Sequence, residues 1–306
     1  MSLTTQGVIQ KAAKYLDGLK GHVFDVLDVA KPVSPLAAVN LAKIVSKLSP
    51  MVGNLIEFNT CEYLNDQKDF KKHGTWRRQD PGFPDTVFDG AVVPKPGLEV
   101  KAWFPLSTEI TARFKDSQEH FRMDNTYVAM LAWLPEYLIF GKPQIIDIVV
   151  VSGASVAKAR DDHYHDPPDY LVVEPGNTSA RTSNLQQTNT NGYKFQGTPS
   201  EFRKAQRVVT AWGKNASAYS TSVSRQTQIR ALLSQFDYRL DTNFAKMDRI
   251  VHPDIEAFKT RVSGTQVHGR SVAEWRVLLN RGDEAVIIDS LLRHFDIRDV
   301  GIPVVE

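Results

Sequence analysis

The sequence predicts an α/β protein: a central mixed β-sheet flanked by helices, with a helical C-terminal part. Three observations predict it. Apolar residues recur at helical spacing over the first 66 residues, short Val-rich runs separated by Pro and Gly occupy the middle, and helical periodicity returns beyond Thr198. The 306 residues are 42% hydrophobic and 24% charged, the balance of a folded globular protein. That composition excludes disorder, collagen-like repeats and a coiled-coil rod as the main architecture.

Val8-Ile9, Ala12-Ala13 and Leu16 form one helical stripe, and Leu41, Ile44-Val45 and Leu48 another. Ser49-Pro50 supplies an N-cap and a first-turn Pro for a third helix through Val52, Leu55-Ile56 and toward Leu64. Phe83–Val93 and Leu98–Phe104 read as a β-hairpin about the turn Pro94-Lys95-Pro96-Gly97. Thr126–Leu134 and Pro143–Val151 are further strands, and the β-branched richness of the second predicts a buried central position. A crossover helix from about Ser155 to His163 then leads to a strand at Tyr170–Glu174 in the same sheet. Gly176–Gly197 is polar and aperiodic. Ser200–Trp212, Ser224–Phe236, Ser271–Asn280 and Asp283–Phe295 read as helices, each opened by Ser or Asp. No clean linker interrupts the chain, so residues 1–306 are expected to form a single domain. Within it, 1–66 are N-terminal helices, 67–175 a sheet core, and 176–306 a basic loop followed by helices.

A single cysteine, Cys61, excludes an intramolecular disulfide framework and any multi-cysteine metal site. Met1–Gln6 shows no signal-peptide core, and apolar runs such as Ile145–Val151 fall well short of a membrane span. A cytoplasmic, soluble protein without membrane contact is expected. Net charge is only +2, but its distribution is uneven. Gly176–Gln235 carries eight basic residues against one acid, Glu201, a local charge of +7. Lys68, Lys71, Lys72, Arg77 and Arg78 stand against Asp69 in a second basic cluster. Such segregation marks a phosphate-binding face or a solvated surface.

The chemically informative stretch is Phe83–Asp89, the turn, then Gly97–Trp103. Glu99 and Lys101 are two apart on one strand, so both project from one face while Leu98, Val100 and Ala102 project from the other. The hairpin returns Asp85 or Asp89 toward that pair. Two carboxylates and a lysine suit Mg²⁺ held by carboxylates, waters and a substrate phosphate, with the lysine orienting or deprotonating the attacking water. The competing reading is a surface Glu–Lys pair on an edge strand. Other candidates are weaker. Asp161–Asp166 offers His163 and His165 as metal ligands but no further ligand group. Pro168-Asp169 precedes Glu174, yet Gly176 stands where a lysine is needed. Cys61 reads as a packing residue.

Pro84-Asp85, thirteen residues, then Glu99-Val100-Lys101 resembles the signature of the PD-(D/E)XK nuclease superfamily, which includes type II restriction endonucleases and DNA-repair nucleases. Upstream, Met51-Val52-Gly53-Asn54-Leu55-Ile56-Glu57 resembles the glycine-containing helix, ending in glutamate, of the mismatch-repair nicking endonuclease and its GATC-cutting restriction relatives. Gly97-Leu98-Glu99-Val100-Lys101 resembles the strand that follows in that branch. The resemblance spans about Val52 to Trp103. It implies a restriction-endonuclease-like sheet, Asp85, Glu99 and Lys101 as catalytic core with Asp85 and Glu99 on Mg²⁺, and Glu57 as an additional acidic residue. The Asp-to-Glu gap is longer than in the repair enzyme, and Asp89, on the same strand face as Asp85, is the rival aspartate.

Arg181–Gln196 is dense in Asn and Gln, whose amides pair bidentately with adenine, while Arg and Lys pair with guanine. Arg181, Gln186, Gln187, Asn189, Asn191 and Lys194 are the candidate base readers, and Arg203, Lys204 and Arg207 the candidate phosphate contacts. The expected function is therefore that of a type II restriction endonuclease, the cutting arm of a restriction-modification system. It would act on double-stranded DNA with Mg²⁺ as a homodimer, since palindromic sites match two-fold symmetry. The alternatives are a strand-nicking repair endonuclease and a DNA-binding protein without catalysis.

Overall fold

The computed structural model describes residues 4–79, 82–106, 121, 123–165, 170–173, 191–214, 216, 220, 222–241, 251–280, 283–295 and 297. Helices α1 (Thr5–Asp17), α2 (Pro35–Ile44) and α3 (Ser49–Asn65) open the chain, with a 3₁₀ turn at Val45–Leu48 joining the last two. After the short α4 (Lys68–Lys71) come β1 (Gly74–Arg78), β2 (Thr86–Gly90), β3 (Gly97–Trp103), β4 (Thr126–Pro135) and β5 (Pro143–Ser152). Then follow α5 (Gly153–His165), β6 (Tyr170–Val173), β7 (Asn191–Phe195), α6 (Pro199–Thr210), α7 (Val223–Gln235) and β8 (Tyr238–Asp241). The last elements are α8 (Pro253–Gly264), the two-residue strands β9 (Gln266–Val267) and β10 (Arg270–Ser271), α9 (Val272–Asn280) and α10 (Glu284–Phe295).

The architecture is α/β. Five strands form one mixed sheet in the order β1-β2-β3-β4-β5, antiparallel except for the parallel β3–β4 pair. Helices flank it, and α8–α10 form the helical C-terminal part. One face is the main core: Val8, Ala12 and Leu16 of α1 and Val52, Ile56 and Leu64 of α3 join Leu98, Val100, Ala129 and Leu131 of the sheet. On the other face Phe258 of α8 packs against Trp103, ring centroids 5.7 Å apart. Asp147 of β5 is almost fully buried and accepts charge from both sides, Lys20 at 2.9 Å and Arg261 of α8 at 2.7 Å. A buried carboxylate is tolerated because it is doubly paired.

The chain divides into two compact units, with residues 252–306 grouped with the N-terminal part. The first holds residues 1–110, 121–154 and 252–306; the second holds 111–120 and 155–251. The reason for the grouping is packing: α10 lies against α2, and α8 against β5. In the second unit β6, β7 and β8 form an antiparallel three-stranded sheet. Ala205, Val209, Ala216 and Leu232 make its small core, walled by Tyr193, Phe195, Trp212 and Tyr238.

Several expectations are corrected. The Tyr170 strand belongs to this second sheet and not to the five-stranded one. The Pro143 strand is terminal in its sheet, not central. Its outer edge is met by the chain after α1, where Gly21 N–H donates to Ile145 O at 2.8 Å and Ile145 N–H to His22 O at 2.9 Å. The central position falls to β3, and the most continuously buried strand is its neighbour β4, buried at every residue but Tyr127. Ser49 begins α3 without a side-chain capping bond, whereas Thr198 and Ser222, each two residues earlier than expected, cap α6 and α7. Among the described residues, no helix is long and apolar enough to cross a membrane.

Candidate active site

Two register pairs hold β2 to β3, Thr86 opposite Leu98 and Val87 opposite Gly97. Extending that register by one residue sets Asp85 opposite Glu99. The contacts are those this placement requires. Asp85 Oδ2 accepts from Val100 N–H at 2.7 Å, and Asp85 N–H donates to Glu99 Oε2 at 3.2 Å. Lys101 Nζ lies 3.3 Å from Asp85 Oδ2 and pairs with Glu99 Oε1. The same register, run the other way, sets Asp89 opposite Lys95. Asp89 is indeed bound to Lys95 at 2.8 Å and to Arg77 at 3.2 Å, at the far end of the strand. Asp85 is thus the aspartate that meets Glu99 and Lys101; Asp89 does not reach them.

The surface-pair reading fails on burial and position. β3 has β2 on one side and β4 on the other, and Glu99 is 8% exposed. Burial pushes the Glu99 carboxyl above its ordinary value and the Asp85 charge adds to this, with Lys101 opposing. Burial alone would lower Lys101, but the Glu99 and Asp85 carboxylates outweigh it and hold the ammonium above the usual lysine value. Lys101 is therefore a charged group.

Glu57 joins from α3, which packs on β3 and β1. Its carboxylate accepts from Arg78 Nε at 3.0 Å. Burial raises Glu57, the Asp85 charge raises it further, and Arg78 and Lys101 pull it down. Glu57 thus belongs to the same electrostatic neighbourhood as Asp85 and Lys101. Arg78 is the residue that sequence reading left in a surface cluster. Its signal was the strand pattern of Gly74–Arg78, in which only Trp76 is buried.

Gly97 is required by close approach. A Cβ there would stand 2.5 Å from Pro84 Cγ and 3.2 Å from Thr126 Oγ1. Gly97→Ala should cost about 1–3 kcal/mol of stability, as overpacking does, measured by denaturant unfolding; an unchanged midpoint would contradict the tight seat of Pro84-Asp85. Cys61 is 3% exposed, with its sulfur 3.3 Å from Thr86 Oγ1. Burial pushes its thiol up, so thiolate chemistry is disfavoured. Cys61 is expected to react with Ellman's reagent only on unfolding, and fast labelling of native protein would refute a packing role.

Of the DNA-reading candidates, Arg181, Gln186, Gln187 and Asn189 lie outside the described residues. Asn191 and Lys194 fall on β7, not in a loop. Arg203, Lys204 and Arg207 are exposed on α6, opposite its buried Ala205 and Val209. Arg225 from the same basic segment is engaged internally, its guanidinium 5.2 Å over the Trp212 ring and 2.9 Å from Ala216 O. His163 and His165 end α5, while Pro168, Asp169, Glu174 and Gly176 lie outside the described residues.

Among the described residues, no group of three or more His, Cys, Asp or Glu side chains is arranged to hold a metal. The Asp85–Glu99 pair offers two carboxylates that already converge on one cation, Lys101 Nζ. That donor set fits Mg²⁺, which takes one or two carboxylates and completes its shell with waters and phosphate. Comparison with protein-family models, curated proteins and solved structures finds no match to this chain.

Proposed function

We propose that the chain is a Mg²⁺-dependent endodeoxyribonuclease of the type II restriction class, cutting both strands of DNA at a short specific sequence as a homodimer. The convergence of Asp85, Glu99 and Lys101 on one half-buried face supports this reading more than any other observation. Asp85 and Glu99 are the residues that would hold Mg²⁺, which when bound supplies Lewis-acid charge and acidifies water. Lys101, kept charged by its carboxylates, orients the attacking water and offsets charge on the phosphate. The water oxygen bonds to phosphorus, one P–O ester bond breaks, and the departing oxygen takes up a proton.

Supercoiled plasmid incubated with the protein and Mg²⁺ tests the proposal. Linear product with discrete ends, abolished by EDTA, is expected. Nicked circles alone would favour the strand-nicking alternative, and intact plasmid with retained binding would favour a non-catalytic DNA-binding protein.

The exposed α6 cations are assigned to phosphates. Arg203→Ala or Lys204→Ala should weaken cognate and random duplexes alike and flatten the salt dependence by roughly one unit of slope. Binding titrations at several salt concentrations measure this; an unchanged slope would remove α6 from the DNA surface.

A further inference from the structure

We propose that Arg78 is a substrate-phosphate ligand of this site, parked on Glu57 in the DNA-free protein; the inference rests on the nuclease reading above. Arg78 ends β1 directly across from Thr86, the residue after Asp85, and the next residue's N–H, that of Gln79, donates to Asp85 O at 2.8 Å. Its Nε donates to Glu57 Oε1 at 3.0 Å. The strands on either side of β2, β1 and β3, thus each carry a cation close to the point where β2 begins at Asp85, Arg78 and Lys101. Lys101 is committed to two carboxylates. A DNA phosphate arriving at Asp85 and Glu99 needs a second cationic group on its outward oxygens, and a planar fork of five donors matches a phosphate.

The neighbouring Arg77 does not compete for this role, because it is tied to Asp89 at the remote end of the hairpin. Accessibility also differs along the pair: the Arg78 side chain is 32% exposed and that of Glu57 17%. A partly exposed ion pair of this kind can be exchanged for another anion. Glu57 then acts as a positioning residue, keeping Arg78 beside the aspartate until a phosphate replaces it.

The test uses the full chain, single-turnover cleavage in Mg²⁺, and duplexes carrying single neutral methylphosphonates scanned across the cut site. Arg78→Ala should slow cleavage by on the order of 10²-fold or more, as loss of one phosphate-clamping donor does, and Arg78→Lys should recover part of it. Melting temperatures of both variants should match wild type. At one position the methylphosphonate should slow wild type yet add nothing to Arg78→Ala, the signature of a shared contact. Arg78→Ala cleaving within about twofold of wild type, while Lys101→Ala is inactive, overturns the Arg78 assignment and leaves the nuclease reading standing. Full methylphosphonate penalties at every position in Arg78→Ala also overturn it. Absence of Mg²⁺-dependent cleavage by wild type removes both.

Discussion

Lys101→Ala is expected to abolish DNA cleavage, with a loss on the order of 10²–10⁴ in rate, while specific binding survives. The size follows from the position of the ammonium. It touches both carboxylates of the site, sits on a strand flanked on both sides, and is held charged by its partners. Removing it takes away the group proposed to orient water and offset phosphate charge, and no other lysine shares these carboxylates in the contacts of the described residues. Glu99→Gln should act as strongly, because the amide keeps the shape and loses the charge that holds a cation. Gel-shift binding beside plasmid cleavage separates chemistry from affinity. Near-normal cleavage by Lys101→Ala would exclude this site from the reaction.

Asp85→Asn and Asp89→Asn are expected to part company. Asp85 shares a cation with Glu99 and is built into the backbone through Val100 N–H. Its Asn variant should be inactive, since an amide in that place is a poor ligand for Mg²⁺. Asp89 instead neutralises Lys95 and Arg77 near the surface, and exposed pairs of this kind contribute little. Asp89→Asn should therefore cleave at close to the wild-type rate. Parallel rate measurements decide it, and the reverse pattern would mean a different hairpin register in solution.

Local features of the fold were legible in the sequence because short-range chemistry sets them. The stripe Val8, Ile9, Ala12 and Leu16 is buried on α1 as its spacing requires, and Pro94–Gly97 turns the chain between β2 and β3. The Glu99–Lys101 face followed from strand period alone. Asp85 against Asp89 stayed open because the answer depends on register, and register depends on how Phe88 N–H meets Pro96 O across the turn.

What sequence did not reveal is mostly non-local. A β-branched run such as Pro143–Val151 reports burial, not which strands lie beside it, so its terminal position, covered by residues 21–24, was hidden. Strand β6 likewise pairs with partners that its own residues do not specify. Arg78 and Glu57 are 21 residues apart and meet only because α3 packs on β1. The missed helix α8 is a different case: Pro253 at its start and Ile255, Phe258 and Val262 at helical spacing were a readable signal.

In the proposed mechanism Asp85 and Glu99 form one cation site beside Lys101. Anomalous diffraction from crystals soaked in Mn²⁺, a surrogate for Mg²⁺, tests it most directly. An anomalous peak is expected within ligand distance of one oxygen each from Asp85 and Glu99, with Lys101 Nζ moved off at least one of them. Mn²⁺ bound elsewhere, with Lys101 still bridging both carboxylates at saturating metal, would contradict it.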